Sequence, residues 1–292
     1  MKIKVTILGS QGMLGHMLFH YLKEQDKYEL IPLSRKDIDL KNKFDCINLC
    51  EFLQDKNIDY IINCMGVLVK QSDFDYDMAQ LINTELPHLL ESSFKDTYTQ
   101  IIHISTDCVF NGNKPYPQTY NEFDVPDETN NYGLSKSLGE IENKKDLTIR
   151  TSIISIELKN NGTGLFEWFM KQKDECFGYI NHYWNGLTCL ELSKIIEKII
   201  KIDNSKIYGI KHIYTLEKVI SKYELLCLID EVFNKKIKII PLKNEKTINK
   251  SLCSNKIQNI EIFREILSYR DQLKELKKWI INHPNLYKNK KF

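Results

Sequence analysis

Lys2-Ile3-Lys4-Val5-Thr6-Ile7-Leu8-Gly9-Ser10-Gln11-Gly12-Met13-Leu14-Gly15 reads as a β-branched strand that runs straight into three glycines, each separated from the next by two residues. Leu14, Met17, Leu18, Tyr21 and Leu22 then recur at helical spacing, so the glycines occupy a strand-to-helix turn. Glycines there allow a tight reversal and a close backbone approach to a pyrophosphate, while the helix N-terminus offers N–H donors. A merely flexible loop would not need a strand on one side and a helix on the other. Gly9, Gln11, Gly12, Met13 and Leu14 are therefore the expected phosphate-binding set.

The same rhythm continues outward from this turn. Tyr28–Leu33 reads as a second strand, residues 46–56 as a helix and residues 59–63 as a third strand, followed by the small turn Cys64-Met65-Gly66 past which a cofactor fits. Residues 77–94 carry a helical pattern with Pro87 placed to kink it, and residues 101–104 form a short buried strand. A helix over residues 132–145 and a strand over 147–152 follow. Strands alternating with helices predict an α/β fold built on a doubly wound parallel sheet. At the end of the second strand an acidic residue would suit a free adenosine ribose, whereas an arginine suits a 2′-phosphate. This chain has Ser34 and Arg35 there.

Beyond Ser152 the pattern changes. A short helix over 165–173 precedes an aromatic, Asn-rich loop over 178–188 that includes Asn181 and Trp184. A helix over 190–200, a strand over 207–214, a capping box at Ser221-Lys222-Tyr223-Glu224 and a strand over 236–242 come next. A long helix over 260–282 and a basic stretch with Lys288, Lys290 and Lys291 complete the chain. The expected organisation is a dinucleotide-binding domain over residues 1–158 and a smaller, mainly substrate-binding lobe over 159–292, with parts of 180–215 returning to the first domain.

Ser105-Thr106-Asp107 emerges at the carboxyl end of the 101–104 strand, the edge at which ligands bind in open α/β sheets. Tyr132 and Lys136 are four apart on the next helix, so a phenol and an ammonium share one face. A free phenol titrates near ~10, and a neighbouring cation favours the phenolate. Lys136 is thus expected to lower the Tyr132 pKa toward a range useful for proton transfer, with Thr106 holding a carbonyl oxygen. Tyr-x-x-x-Lys alone also describes an ordinary surface pair; the surrounding strand, turn and glycine motif give the pair its meaning.

Composition narrows the class. Hydrophobic residues at 42% and charged residues at 27% are ordinary for a globular chain and argue against extensive disorder. With 41 Lys plus Arg against 39 Asp plus Glu, a net charge of +2 gives no broad reason to expect nucleic acid. Eight cysteines at 46, 50, 64, 108, 176, 189, 227 and 253 contain no CxxC pair, so buried free thiols are expected and no metal. The opening residues lack the pattern of a signal peptide, and no apolar run approaches the ~18 residues of a membrane span, so a cytoplasmic protein without membrane contact is expected.

Gly9-x-x-Gly12-x-x-Gly15, Ser105-Thr106-Asp107-Cys108-Val109-Phe110, Tyr132-Gly133-x-x-Lys136-x-x-Gly139-Glu140 and Arg150-Thr151-Ser152, in that order, resemble the extended short-chain dehydrogenases/reductases, in particular the dTDP-4-dehydrorhamnose reductase family. The resemblance implies a Rossmann domain with a substrate lobe and an NADPH-dependent reductase of a nucleotide-linked 4-keto-6-deoxy sugar, with NADH as the other candidate reductant. It implies that Thr106 and Tyr132 bind the substrate carbonyl and that Lys136 holds the nicotinamide ribose. Cys64, Met65, Gly66, Ser105 and Thr151 would line the cofactor, and Asp107, Cys108, Asn181 and Trp184 the sugar nucleotide; a homodimer is compatible with it. Two departures stand out: Ile153 follows Arg-Thr-Ser where the family commonly has tryptophan, and Tyr183-Trp184-Asn185-Gly186-Leu187-Thr188 replaces Gln-x-Gly-x-Pro-Thr. An epimerase/reductase using the same residues, or a non-catalytic regulatory subunit of this architecture, is the alternative.

Overall fold

A computed structural model describes residues 2–202, 207–257, 260–288 and 290. In chain order the elements are β1 (Ile3–Leu8), α1 (Met13–Lys23), β2 (Tyr28–Leu33), α2 (Lys43–Gln54), β3 (Tyr60–Asn63), α3 (Val69–Phe74), α4 (Tyr76–Ala79), a π-helical turn (Gln80–Glu85), α5 (Leu86–Phe94) and β4 (Gln100–Ile104). A single 3₁₀ turn (Asp107–Val109) is followed by α6 (Asn131–Leu138), β5 (Leu147–Arg150), β6 (Ile153–Ile154), α7 (Leu165–Lys171), β7 (Glu175–Tyr179), β8 (His182–Trp184), β9 (Leu187–Thr188) and α8 (Cys189–Lys201). Then come β10 (Gly209–His212), β11 (Ile220–Ser221), α9 (Lys222–Phe233), β12 (Lys238–Leu242), β13 (Ile248–Asn249), α10 (Glu261–Arg264) and α11 (Tyr269–Asn282).

Six parallel strands form the central sheet in the order β2-β1-β3-β4-β5-β10. Alternation along the buried strands feeds two cores. Ile102 and Ile104 join Leu14 and Met17 of α1 and Ile195 of α8, whereas Ile101 joins Leu49 of α2 and Leu90 of α5. Both faces of the sheet are therefore covered, the condition under which near-continuous apolar strands are stable. The order reverses between β1 and β3, which opens a crevice at their carboxyl ends. β10 enters this sheet from beyond residue 200, while three small sheets, β11-β8-β13, β12-β7 and β6-β9, build the remainder.

Several expectations are corrected. The helix bearing Tyr132 stops at Leu138 instead of reaching residue 145, because the chain at Gly139 runs against the neighbouring backbone: a Cβ there would lie 1.8 Å from the Asn83 carbonyl oxygen. Residues 77–94 are helical without a break, as the pattern predicts, but the run contains a π-helical turn that the pattern does not show: α4, that turn and α5 follow one another through helical backbone, with Pro87 just after the turn. The 178–188 stretch is mostly strand, with His182 and Trp184 buried on either side of half-buried Tyr183. The 260–282 helix is two helices, the second started by Ser268, whose hydroxyl accepts from the Asp271 N–H. Lys291 lies outside the described residues.

Candidate active site

The glycine turn lies at the crevice. Gly9 has φ +77°, and a Cβ on it would sit 3.1 Å from the Cys64 carbonyl group, so β1 and β3 approach each other there through backbone alone. A Cβ on Gly15 would lie 2.2 Å from the Gly9 oxygen, which brings the first turn of α1 against the end of β1. Gly12 caps α1 in an extended conformation and donates its N–H to the Gly9 carbonyl at 2.8 Å. Side chains would fill this cradle; a pyrophosphate facing the first-turn N–H groups fits it. Gln11, Met13 and Leu14 stand in or beside this turn, and Cys64, Met65 and Gly66 face it from β3.

At the far end of the crevice, the Ser34 N–H and hydroxyl both donate to one oxygen of Asp37, at 2.8 and 2.7 Å. The Ser34 hydroxyl holds the Asp37 carboxyl below its ordinary range, with the Ser34 N–H acting the same way. The turn thus folds an acid back onto Ser34, which a reading by position alone leaves distant. Arg35 is exposed on the same turn.

The chemical end is buried and tightly tied. Ser105 donates its N–H to Ile149 O at 2.7 Å and Asp107 its N–H to Thr151 O at 3.0 Å, so β4 and β5 continue into the site as a pair. Thr106 accepts the Cys108 N–H at 3.1 Å, and its hydroxyl lies beside the Tyr132 phenol. Tyr132 itself keeps part of its surface open. Burial pushes its pKa well above the ordinary phenol value, and Cys108 and Asp107 act in the same direction. Lys136 does not supply the expected counter-effect: its ammonium donates to Ile104 O at 2.8 Å and lies 3.4 Å from His103 Nε2. Burial lowers the Lys136 pKa to about 8, against the pull of Glu140 and Cys64. In this arrangement Tyr132 is a firmly protonated acid, not a ready phenolate.

Residues without an assigned role in the sequence reading hold this end together. Glu140 accepts from Ser105 Oγ at 2.6 Å and binds Arg150 through two bonds of 2.7 and 2.6 Å, with both charged side chains buried. Behind them Arg150 meets His212 Nε2 at 3.3 Å. In the π-helical turn, Asn83 accepts the Val67 N–H at 2.8 Å and donates to Ser135 Oγ at 3.0 Å, linking the turn after β3 to α6. A π-turn at a site is a common signal, but it cannot be seen in an apolar pattern. From just after β13, Lys250 binds Glu128 at 2.9 Å and is the leading charge opposing the upward shift that burial gives Asp107.

Two expected sugar contacts are committed elsewhere. Trp184 is 7% exposed, donates its indole N–H to Ser152 Oγ at 2.9 Å and packs near Tyr269. Ser152 also hydrogen-bonds Asp107, so Trp184 reaches the site through that hydroxyl. Asn181 uses its amide on Asn244 and Thr247, donating to the Asn244 carbonyl at 2.9 Å and accepting its N–H at 2.9 Å. Thr151 is buried beneath the site. Among the described residues no group of three or more His, Cys, Asp or Glu side chains could hold a metal, and no helix is long and apolar enough to cross a membrane.

A dTDP-4-dehydrorhamnose reductase of Aggregatibacter actinomycetemcomitans is 30% identical over 257 residues, 84% of either chain. The methionine adenosyltransferase 2 subunit beta of Danio rerio is 29% identical over 146 residues, covering 46% of this chain and 43% of that protein. Among solved structures, dTDP-4-dehydrorhamnose reductase from Bacillus anthracis, in complex with NADP, superposes with a TM-score of 0.81 at 24% identity, covering 96% of this chain and all of that one. The family described as the RmlD substrate binding domain matches residues 1–275. With its glycine turn, its Thr106–Tyr132–Lys136 end and that match over nearly all its length, the chain belongs to the RmlD family of extended short-chain dehydrogenases/reductases.

Proposed function

We propose that this chain is an NADPH-dependent reductase that reduces the C4 carbonyl of a nucleotide-linked 4-keto-6-deoxy sugar in activated deoxysugar biosynthesis. The observation that carries the reading is the Tyr132 phenol set beside the Thr106 hydroxyl at the end of β4, partly open to solvent, with Lys136 anchored beneath. When bound, the reduced nicotinamide supplies the hydride. The glycine turn would hold its pyrophosphate, Ser34 and Arg35 its adenosine ribose, Cys64, Met65, Gly66, Ser105 and Thr151 its path across the crevice, and Lys136 its nicotinamide ribose. Thr106 and Tyr132 hold the carbonyl oxygen, and Tyr132 gives that oxygen its proton. Burial keeps the Tyr132 phenol protonated, as a donor must be, while making it a weaker acid than a free phenol. Asp107 and Cys108 flank the sugar, Trp184 acts on it through Ser152, and Asn181 holds the 244–247 turn. A cytoplasmic setting accords with eight free cysteines.

The rival is a regulatory subunit that keeps the cofactor fold without turnover; the Danio rerio relative is named as a subunit, methionine adenosyltransferase 2 subunit beta. The complete Thr106, Tyr132 and Lys136 set favours turnover. Purified protein assayed with UDP-, dTDP- and GDP-linked 4-keto-6-deoxy sugars should consume NADPH with at least one of them, read as loss of nicotinamide absorbance. Protein that binds NADPH and turns over none of the panel overturns the enzyme reading.

A further inference from the structure

The end of α11 and the residues after it lie along α1, the helix that carries the glycine turn at its N-terminus. His283 meets Glu24 just past the last turn of α1, the Trp279 ring lies 6.4 Å from Tyr21, and Tyr287 reaches His16 in the first turns. His16 and Tyr287 are buried, at 0% and 5% exposure. The hydrogen bonds have one consistent direction. A carbonyl only accepts, so His16 Nδ1–H must donate to Gly12 O at 2.8 Å. The neutral ring then accepts at Nε2 from the Tyr287 hydroxyl at 3.2 Å, and the Tyr287 oxygen accepts from Trp279 Nε1–H at 3.3 Å. Burial keeps His16 neutral, with its pKa lowered to about 4.

The acceptor at the end of this relay matters. The Gly12 carbonyl belongs to the same planar peptide as the Met13 N–H, so fixing the oxygen fixes the direction of a first-turn donor. The same segment also closes the other side of the turn. Lys290 donates to Glu167 and to Lys159 O, each at 2.6 Å, and Glu167 accepts the Glu157 N–H at 2.9 Å. Within that clasped stretch Gly164 lies against Met13, where an added Cβ would come within 2.6 Å of the Met13 methyl carbon.

We propose that the segment after α11 is a strap that positions the phosphate turn for the dinucleotide, with His16, Tyr287 and Lys290 as positioning residues. The proposal rests on the cofactor reading above. It differs from simple stabilisation because the relay ends on the peptide that presents donors to the ligand. No residue of the relay belongs to the proton-transferring end.

The test is Tyr287→Phe, which keeps the ring and removes the hydroxyl, with Lys290→Met as a second variant that cuts the other anchor. NADPH titration without sugar substrate should give a Kd raised about fivefold by Tyr287→Phe, the worth of one neutral hydrogen bond. The KM for the sugar nucleotide should stay within twofold of wild type. Hydrogen exchange of the cofactor-free protein should quicken at residues 9–18 and stay unchanged at residues 100–104. Wild type that binds NADPH, with variants whose Kd and local exchange match it, overturns the strap while leaving the cofactor reading intact. Faster exchange throughout the chain, with equal loss of both ligands, shows a structural role only and also overturns it. Wild type that binds neither NADPH nor NADH removes the cofactor reading and the strap together.

Discussion

The two ends of the crevice are built on opposite principles. At the chemical end Ser105, Thr106, Asp107, Lys136 and Arg150 are all buried, and each is tied to another element by hydrogen bonds that leave little choice of rotamer. At the adenosine end the turn after β2 is fixed by a local Ser34–Asp37 interaction, and Arg35 projects into solvent. Preorganised groups in a water-poor site act strongly on a developing charge, whereas an exposed guanidinium works in high dielectric and its effect is screened. Reaction type should therefore be rigidly specified in this molecule and cofactor preference only loosely so.

The sharpest way to break that contrast is Tyr132→Phe. Turnover should fall by about 10²–10⁴-fold with NADPH affinity retained, since general acid catalysis supplies a factor of that order. Near-normal turnover, measured as nicotinamide oxidation, would remove Tyr132 from the chemistry. Next in size, Glu140→Ala leaves Arg150 buried without its carboxylate and should cost roughly 3–5 kcal/mol of stability by urea denaturation. A loss near zero would mean that the chemical end is less tightly held than its bonds imply.

Acid titration probes both ends at once, because His16 stands behind the phosphate turn and His212 behind Arg150. Burial lowers each from 6.5 to about 4. The unfolded chain therefore binds protons first as pH falls, so the stability these rings contribute is complete above about 6.5 and is lost toward pH 4, on the order of 3 kcal/mol for each. Urea midpoints that stay level between pH 7 and pH 5 would contradict their burial as neutral rings. The smallest effect belongs to the exposed end: Arg35→Ala should reduce the NADPH-over-NADH ratio of kcat/KM by about tenfold, the value of a charged hydrogen bond at the low end of its range. Equal use of both cofactors by wild type would take Arg35 out of the site.

Much of the site was legible because its signals are local. A strand entering Gly9, Gly12 and Gly15 announces a turn with no room for side chains, and the helical spacing of Tyr132 and Lys136 places both on one face of α6. Asn83 was harder to see: its role depends on a π-helical turn, which has no apolar signature. The short strands around Trp184 and the break between α10 and α11 escaped for a similar reason, since two or three residues give too little periodicity to separate strand from loop.

The sequence by itself determined the α/β class, the order of the sheet-forming segments as far as β5, the strand-to-helix glycine turn and the placement of Tyr132 and Lys136 on one helix. Each follows from neighbours in the chain, where spacing and side-chain chemistry act directly. Only the tertiary structure decided where charges and hydrogen bonds point: that Lys136 turns to Ile104 and His103 instead of tuning Tyr132, that Asp37 folds onto Ser34, that Glu140 joins Ser105 to Arg150, and that Tyr287 returns to His16. Those outcomes depend on desolvation and on partners far apart in the chain, and burial sets both the sign and the strength of each interaction.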